Sequence, residues 1–455
     1  MKTKYHITLL IVALSLCSFS AYAKEPQSKF LNIQNVTTPT NITAWLVEDH
    51  SIPVIAMAYS FRGAGSKNDP AGKQGLARLA SNTMDEGAGD ITSQIFQKTL
   101  RDNSISLSFS ASRDNFGGGL KTLSANKEIA FNLLKLALTK PRFDQDPVDR
   151  MRESNKSRIK SSLSNPRWIA ARIQNDRIFE NHPYALNSGG TLSSLDAITP
   201  DDLRGFHKTL GKNELVIGVA GDINAEELKA VLDDVFGSMP DVTVKAAEKS
   251  PLQNAGKTYL YKQDIPQSVI EISQAGISRQ DKGYYAAHIM NFILGESGFG
   301  SRLMEEIREK RGLTYGVYSY FRQYDEADVL HVSTSTVNKS VPEMRSLINQ
   351  EWQKMQDTPV SEQEITDAKS YLIGSLPLSL TSTGSIAGVL LSLQLDHLPI
   401  DYLDQRAAQL NAVQISDIQA IAKRLLNKDS MTTVIVGNPE EIENVNIITD
   451  LPNVE

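Results

Sequence analysis

A long internal repeat constrains the fold of this chain more than any other feature of its sequence. Residues 195–223 resemble residues 410–438 at an offset of 215 or 216, and residues 143–163 resemble residues 360–380 at an offset of 217. Short solenoid repeats have periods of roughly 20–50 residues, whereas this period has the size of a domain. Chance similarity between amphipathic helices is a poor explanation, because the matches keep one order and nearly one offset. The sequence therefore predicts two copies of one domain.

Each copy mixes strand and helix signals in an order that favours the α+β class. Residues 215–220 form a short apolar run that ends at a glycine, which is typical of a buried strand, and residues 225–236 follow with apolar residues at helical spacing. Because the elements do not alternate as strictly as in a doubly wound parallel sheet, we predict an α+β fold. We place one domain at 24–240 and the other at 257–455, joined by a linker at 241–256.

The first 23 residues have the pattern of a secretory signal peptide. Lys2 and Lys4 precede a short apolar core, and a small-x-small site predicts cleavage after Ala23; an uncleaved membrane anchor is the alternative. Cleavage would remove Cys17, the single cysteine, so a disulfide scaffold, a cysteine zinc site and a thiol nucleophile are disfavoured. It would also change the net charge from −6 to −8, since two lysines and no acidic residue leave, and an acidic chain has no charge reason to bind nucleic acid. We therefore expect an exported, periplasmic protein without a membrane span.

Most familiar catalytic motifs are absent from the sequence. The six histidines after residue 23 are all more than five residues apart, which excludes H-x-x-E-H, H-E-x-x-H and any other local histidine pair for zinc. The sequence also has no G-x-S-x-G and no G-x-x-x-x-G-K-[ST]. The glycine-rich residues 295–300 are expected to form a flexible loop or a tight turn rather than a phosphate site. An enzyme with an unrelated active site therefore lacks a supporting motif, and a metal site built from distant histidines stays open as an alternative.

Residues 70–84 carry the most informative pattern. They predict a helix with one apolar face, while Arg78, Ser81 and Asn82 lie at i, i+3 and i+4 and share another face. The segment resembles the zinc helix of the pitrilysin/insulinase/mitochondrial-processing-peptidase family, the inverted zincins, in which an active member has G-x-A-H-x-x-E-H-M. The glycine and alanine of that motif are present. Arg78 stands at the first histidine, Ser81 at the catalytic glutamate and Asn82 at the second histidine.

The resemblance implies that this chain binds no zinc. The third ligand of the family, a glutamate on a later helix, would fall near Ser157 or Arg158, and neither is a carboxylate. Zinc needs about three neutral-nitrogen or anionic ligands, and an arginine adds a positive charge and no lone pair. Asp85 and Glu86 are the nearest carboxylates, and we expect them to lie beyond the ligand face.

A second motif lies in the C-terminal copy. Residues 301–311 predict a helix that ends at Gly312, and residues 313–321 predict a strand. In the family, zinc-free subunits carry an R-x6-Y pair that contacts the substrate carbonyl and helps to stabilise the oxyanion. The resemblance implies that Arg308 and Tyr315 form this pair. The alternative is that Arg308 makes an ion pair on the helix surface and that Tyr315 belongs to the core.

The alternating residues 106–113 predict a strand. In the family, an edge strand of the zinc-bearing half pairs with extended substrate. Because this half lacks zinc motifs, a structural edge or a subunit contact is the interpretation we favour for this strand.

The resemblance covers nearly the whole chain after residue 23 and implies two homologous α/β-sandwich domains that form half of a clamshell. We expect a non-catalytic, metal-free subunit of a periplasmic heterodimeric zinc metallopeptidase, with zinc and H-x-x-E-H in the partner subunit and peptides as substrates. This chain would have no catalytic residue alone, and would contribute chamber wall, Arg308 and Tyr315. The alternative is a non-enzymatic peptide-binding or scaffold protein of the same fold, which would have no use for an oxyanion pair.

Overall fold

The computed structural model describes residues 29–245, 247–452 and 454–455, so the predicted signal peptide lies outside the described residues. The strands of the first half are β1 (Ile33–Thr37), β2 (Thr43–Glu48), β3 (Val54–Phe61), β4 (Gly87–Ala88), β5 (Ile91–Thr92), β6 (Ser106–Ala111), β7 (Phe116–Leu123) and β8 (Leu215–Gly221). Those of the second half are β9 (Thr258–Lys262), β10 (Gln267–Ala275), β11 (Val317–Gln323), β12 (Asp328–Val337), β13 (Thr432–Gly437) and β14 (Asn446–Ile448).

The helices divide between the same two halves. The first half has α1 (Leu76–Ser81), α2 (Ser93–Asp102), α3 (Lys127–Thr139), α4 (Gln145–Ser162), α5 (Pro166–Ile178), α6 (Leu192–Asp196), α7 (Pro200–His207) and α8 (Ala225–Phe236). The second half has α9 (Tyr284–Asn291), α10 (Val341–Asp357), α11 (Glu362–Gly374), α12 (Leu376–Ser379), α13 (Thr383–Leu395), α14 (Tyr402–Ala412) and α15 (Ile415–Leu425). Among these described helices, none is long and apolar enough to cross a membrane.

The two large sheets repeat one order of strands. In the first sheet, β6, β7, β3, β8 and β2 are neighbours in that order, and β1 lies at the far edge; in the second, the order is β11, β12, β10, β13 and β9, with β14 at the far edge. The parallel pair also recurs, as β2 with β8 and as β9 with β13, and the remaining pairs shared by the two sheets are antiparallel. The predicted α+β class and the duplication are therefore confirmed.

Each half contributes one helix to the sheet of the other half. Ile169 of α5 shares a hydrophobic cluster with Val434 of β13, and Leu390 of α13 shares one with Ala220 of β8. The two helices are equivalent in the repeat, because they begin at residues 166 and 383, an offset of 217. Since each sheet thus uses a helix from the other half, the two halves are packed together, and the predicted domain boundaries stay a prediction.

Buried glutamines connect these exchanged helices to the central strands. Gln174 of α5 donates from Nε2 to the carbonyl oxygen of Thr432 in β13 at 3.1 Å, and Gln394 of α13 donates to that of Ile217 in β8 at 2.8 Å. Gly218 of β8 allows α13 to approach, because a Cβ there would lie 2.4 Å from the carbonyl oxygen of Ala387. The exchanged helices are therefore held by both apolar packing and specific hydrogen bonds.

The predicted strand at 215–220 and the predicted helix at 225–236 are confirmed by β8 and α8. The prediction of a helix at 301–311 followed by a strand at 313–321 was partly wrong. The helical segment widens into a π-helical turn at Met304–Glu309, and β11 begins at Val317 rather than at residue 313. The physical reason is a local turn: Thr314 accepts a hydrogen bond at its hydroxyl from the backbone N–H of Gly316 at 3.1 Å. This bond competes with the sheet ladder.

Candidate functional site

The segment that resembles a zinc helix forms only a short helix, α1, which begins after Gly75. The carboxylate of Asp69 holds its start by accepting hydrogen bonds from the N–H groups of Gly75 and Ala77, at 2.8 and 3.0 Å. Burial raises the pKa of Asp69 to about 6. The carboxylate is therefore a structural cap of the kind that satisfies the free N–H groups of a first helical turn.

The three positions of the degenerate motif lie together, as their spacing predicts. Arg78 is half-buried. Burial is the main cause that lowers the pKa of its guanidinium, and the nearby positive charge of Arg158 is the second. Ser81 is buried and donates from its hydroxyl to the carbonyl oxygen of Arg78 at 2.8 Å. Asn82 donates from Nδ2 to Oδ1 of Asn155 at 2.8 Å. The face thus consists of the Arg78 guanidinium, the Ser81 hydroxyl and the side-chain amides of Asn82 and Asn155. The two amides are hydrogen-bonded to each other.

Asn155 is the residue of this site that sequence reasoning missed. It lies on α4, three residues before Arg158, and only 3% of it is exposed, whereas Ser157 and Arg158 are exposed. The one available signal was helical spacing, because a residue one turn before the expected position shares its face. The α4 side chain that hydrogen-bonds to the motif is therefore that of Asn155, and not one of the two positions that the family resemblance suggested.

The nearby carboxylates have other partners. Glu86 accepts hydrogen bonds from the guanidinium of Arg150 at 2.5 Å and from the hydroxyl of Ser93. Asp85 accepts a hydrogen bond from the side-chain amide of Gln97 at 3.4 Å, and burial raises its pKa to about 6. In the described ranges, no three histidine, cysteine or acidic residues are grouped so that they could hold a metal ion. The residues at this position therefore do not fit zinc.

The structure brings Arg308 and Tyr315 to one cavity of about 510 Å³ in the second half. Gly312, with φ of +63°, turns the chain between them, and its N–H donates to the carbonyl oxygen of Arg308 at 2.8 Å. The guanidinium of Arg308 lies 4.2 Å from the ring centroid of Phe299, a cation–π contact. Tyr315 is 87% exposed, so it does not belong to the core.

Strand β6 lies at the edge of the first sheet, where β7 is its hydrogen-bonded neighbour. A further cavity of about 1040 Å³ is lined by residues of both halves. Its lining includes Arg62 and Lys67 from the first half and Arg279 and Arg322 from the second. Lys67 spans the boundary, because its ammonium group contacts Asp114 at 3.2 Å and Glu326 of the second half at 2.9 Å.

Three comparisons with known proteins find similarity to M16-type proteins described as inactive or as non-peptidase homologues. Residues 197–372 match the family model described as the peptidase M16 inactive domain. The chain is 27% identical, over 87% of its length and 91% of the relative's, to a protein of Helicobacter pylori named non-peptidase homolog YmxG. A crystal structure titled as a peptidase M16 inactive domain from Pseudomonas fluorescens has a TM-score of 0.84 and 28% identity, covering 90% of this chain and 99% of that one. A chain of complex III2 from Candida albicans, at 16% identity over 90% of this chain and 97% of that one, shares the fold with a TM-score of 0.74.

Proposed function

The chain belongs to the M16 peptidase family, the pitrilysin/insulinase family, as a member without its zinc motif, and from this we propose that it is the non-catalytic subunit of a heterodimeric zinc peptidase. The partner subunit would be a homologous chain with H-x-x-E-H, zinc and the general base. This chain would supply a wall of the substrate chamber, Arg308 and Tyr315. The substrates would be peptides that enter the closed chamber, and the complex would work in the periplasm.

The exposure of Tyr315 beside Arg308 is the observation that carries this proposal. In the described part of the chain, the Tyr315 hydroxyl makes no hydrogen bond, and a tyrosine with 87% exposure buries little apolar surface within its own chain. A phenol and a guanidinium at one cavity are donors suited to a carbonyl oxygen that gains negative charge. The Arg308 guanidinium lies against the ring of Phe299, and its Nε also lies 3.6 Å from the carboxylate of Glu309, so the surface ion pair of the alternative interpretation is present beside the cavity.

The degenerate motif supports the same assignment from the opposite direction. Arg78 and Arg158 bring two positive charges to the position where a metal would need lone pairs, and Asn82 uses its amide on Asn155. Because this chain has no group to bind zinc or to activate water at that face, hydrolysis would have to take place on the partner.

A non-enzymatic, peptide-binding role is the second candidate function. The cleft of about 1040 Å³ between the two halves favours it, because such a cleft has room for a ligand without any partner chain. In that case Arg308 and Tyr315 would have no catalytic effect in any complex.

Affinity purification from the native cell followed by mass spectrometry distinguishes these functions. We expect a chain of similar size with H-x-x-E-H to copurify in about equal amount. The two subunits are then assayed separately and mixed, on a library of quenched fluorogenic peptides. Chelator-sensitive cleavage by the mixture alone, or far above either subunit, supports the proposal. Chelator-sensitive cleavage by this chain alone, or the absence of any such partner, contradicts it.

A further inference from the structure

A second, smaller cavity of about 250 Å³ lies where α5 of the first half crosses strands of the second sheet. We call it the arginine cavity, after Arg113, Arg172 and Arg322, which all line it. Arg113 comes from the loop between β6 and β7, Arg172 from α5 and Arg322 from the edge strand β11. The cavity is therefore built jointly by both halves, and it is separate from the cavity of Arg308 and Tyr315.

Two of these guanidiniums converge on one neutral oxygen. Arg113 donates to the phenol oxygen of Tyr324 at 3.4 Å, and Arg322 donates to the same oxygen at 3.3 Å. Among the described residues, no carboxylate lies within 4 Å of either guanidinium, whereas Arg172 pairs with Asp176. Arg113 also donates from Nε to the carbonyl oxygen of Tyr184 at 3.3 Å and from Nη2 to Oδ1 of Asn175 at 2.6 Å, so its donors are only partly free. In the described part of the chain, Arg322 makes no other hydrogen bond, so most of its donors are left for a stronger acceptor.

The opposite wall does not balance this charge. Glu271 is 8% exposed and accepts a hydrogen bond from the hydroxyl of Ser333 at 2.8 Å. That bond and the charges of Arg167 and Arg322 lower the pKa of Glu271, but burial outweighs them and raises this pKa to about 7. At neutral pH this carboxyl is therefore only partly ionised. His331 bonds to the hydroxyl of Ser273 at 2.7 Å and stays neutral, because burial, with Arg322 and Arg113 nearby, lowers its pKa to about 3.

Buried polar atoms without partners occur on three residues that line the cavity. Nε of Arg172 and Nδ2 of Asn187 are donors, and Oε1 of Gln174, a side chain that is 2% exposed, is an acceptor. Buried polar atoms in native proteins nearly always have a hydrogen-bond partner, so such a group is a mark of a missing ligand or water. A ligand that offers both acceptor oxygens and an N–H group would satisfy this set.

We propose that the arginine cavity binds the carboxylate end of a peptide, with Arg113 and Arg322 donating hydrogen bonds to the carboxylate oxygens. Its volume is below the range of about 300–1,000 Å³ typical of drug-sized ligands, which suits the end of a peptide rather than a whole one. Trp168, Tyr320 and Tyr324 supply ring surface for the adjoining aliphatic atoms. The proposal rests on the proposed function in taking peptides as the ligand class.

Isothermal titration calorimetry on the purified full chain tests this binding. Three probes are used: N-acetyl-tetraalanine with a free C-terminal carboxylate, its C-terminal amide, and the amide with one alanine replaced by glutamate. We expect the free acid to bind at least about tenfold more tightly than either amide, because charge-assisted hydrogen bonds are about twice as strong as neutral ones. Binding of the glutamate amide as tight as that of the free acid, or tighter, would show that the terminal carboxylate is not what the cavity recognises and would overturn the proposal. Equal affinity for all three, no binding at millimolar concentration, or equally tight binding of sulfate overturns the proposal.

Variants connect that preference to the cavity. Arg322→Gln should abolish the preference for the free acid, and Arg322→Lys, which keeps the charge and loses the planar fork, should retain part of it. Arg424→Gln is the matched control, because Arg424 pairs with Asp281 outside the cavity. Arg113→Gln is scored only when circular dichroism shows a folded chain. The decisive variant is Arg322→Gln, because Arg322 lies on an edge strand, where a substitution disturbs the fold less. Retention of the preference in folded Arg322→Gln overturns the proposal. Because the isolated chain is titrated, failure of the heterodimer assay leaves this result unaffected.

Discussion

Asn82 donates a hydrogen bond from its side-chain amide to that of Asn155 at 2.8 Å, at the position where the active members of the family place a zinc ligand. The pair joins the end of α1 to α4, and Nδ2 of the buried Asn155 has no hydrogen-bond partner among the described residues. Beside it, Arg78 lies near Arg158, so the loss of ligands is accompanied by a gain of positive charge. The degenerate motif has thus become part of the packing between two helices.

We predict that the purified protein binds no zinc at this face. Three ligand positions are lost, and the positive charge of Arg78 and Arg158 repels a dication. Inductively coupled plasma mass spectrometry after mild dialysis should find well under one zinc per chain, with a partner subunit that contains H-x-x-E-H as the positive control. A stoichiometric zinc that disappears on replacing Asp85 or Glu86 would contradict the prediction.

Arg308→Ala and Tyr315→Phe should each lower kcat of the reconstituted pair. Loss of one donor to an oxyanion typically costs about 10²–10³-fold in kcat. Arg311→Ala and Tyr371→Phe are the matched controls, since Arg311 makes an ion pair with Glu306 and Tyr371 is 61% exposed elsewhere in the same half. Steady-state kinetics gives the rates, and size-exclusion chromatography confirms assembly. Unchanged kcat in both test variants would favour the non-enzymatic role.

Gly218→Ala should weaken the packing of α13 on the first sheet. The new Cβ would lie 2.4 Å from the carbonyl oxygen of Ala387 and 2.8 Å from Cβ of Leu390, so the helix must shift. Overpacking of this kind costs about 1–3 kcal/mol in the free energy of unfolding. Gly388→Ala, on the same helix, has no neighbour within 4 Å and should instead stabilise by up to about 1 kcal/mol. Urea unfolding measures both, and equal effects would show that the close approach is not limiting.

Glu271→Gln should stabilise the protein at alkaline pH and have little effect at low pH. The unfolded carboxyl ionises near pH 4.5, whereas the buried folded one keeps its proton until about pH 7. The unfolded state therefore binds fewer protons between these values, and the stability of the wild type falls as pH rises through them. Glutamine resembles the protonated acid, so at pH 8 the gain should be about 1–3 kcal/mol, given 1.36 kcal/mol per pKa unit and partial relaxation.

Urea unfolding from pH 4 to pH 8 measures this difference. Glu440→Gln is the control for a general charge effect, because Glu440 is exposed on the surface of the same half. A constant difference between wild type and Glu271→Gln across this range would show that the carboxyl ionises alike in both states.

Local patterns in the sequence predicted the features that local chemistry decides. The apolar run at β8 and the helical spacing at α8 were found in place, because the burial pattern of each element repeats with its own period. The loss of ligands at Arg78 and Asn82 needed no tertiary structure, since no rotamer gives an arginine a lone pair for a metal. The start of the strand after Gly312 was harder to predict. Two local structures compete there, the turn with the hydrogen bond at Thr314 and the sheet ladder, and the turn delays β11 to Val317.

The sequence by itself determined that the chain is a duplicated α+β protein and that its metal motif is lost. Only the tertiary structure decided which sheet each exchanged helix covers, because the apolar face of α5 or α13 specifies burial but not a partner. The same holds for Asn155, which meets Asn82 across 73 residues of chain, and for Arg113 and Arg322, which meet at Tyr324 from opposite halves. Contacts between distant residues depend on the relative placement of whole elements, and that placement results from packing the two halves against each other.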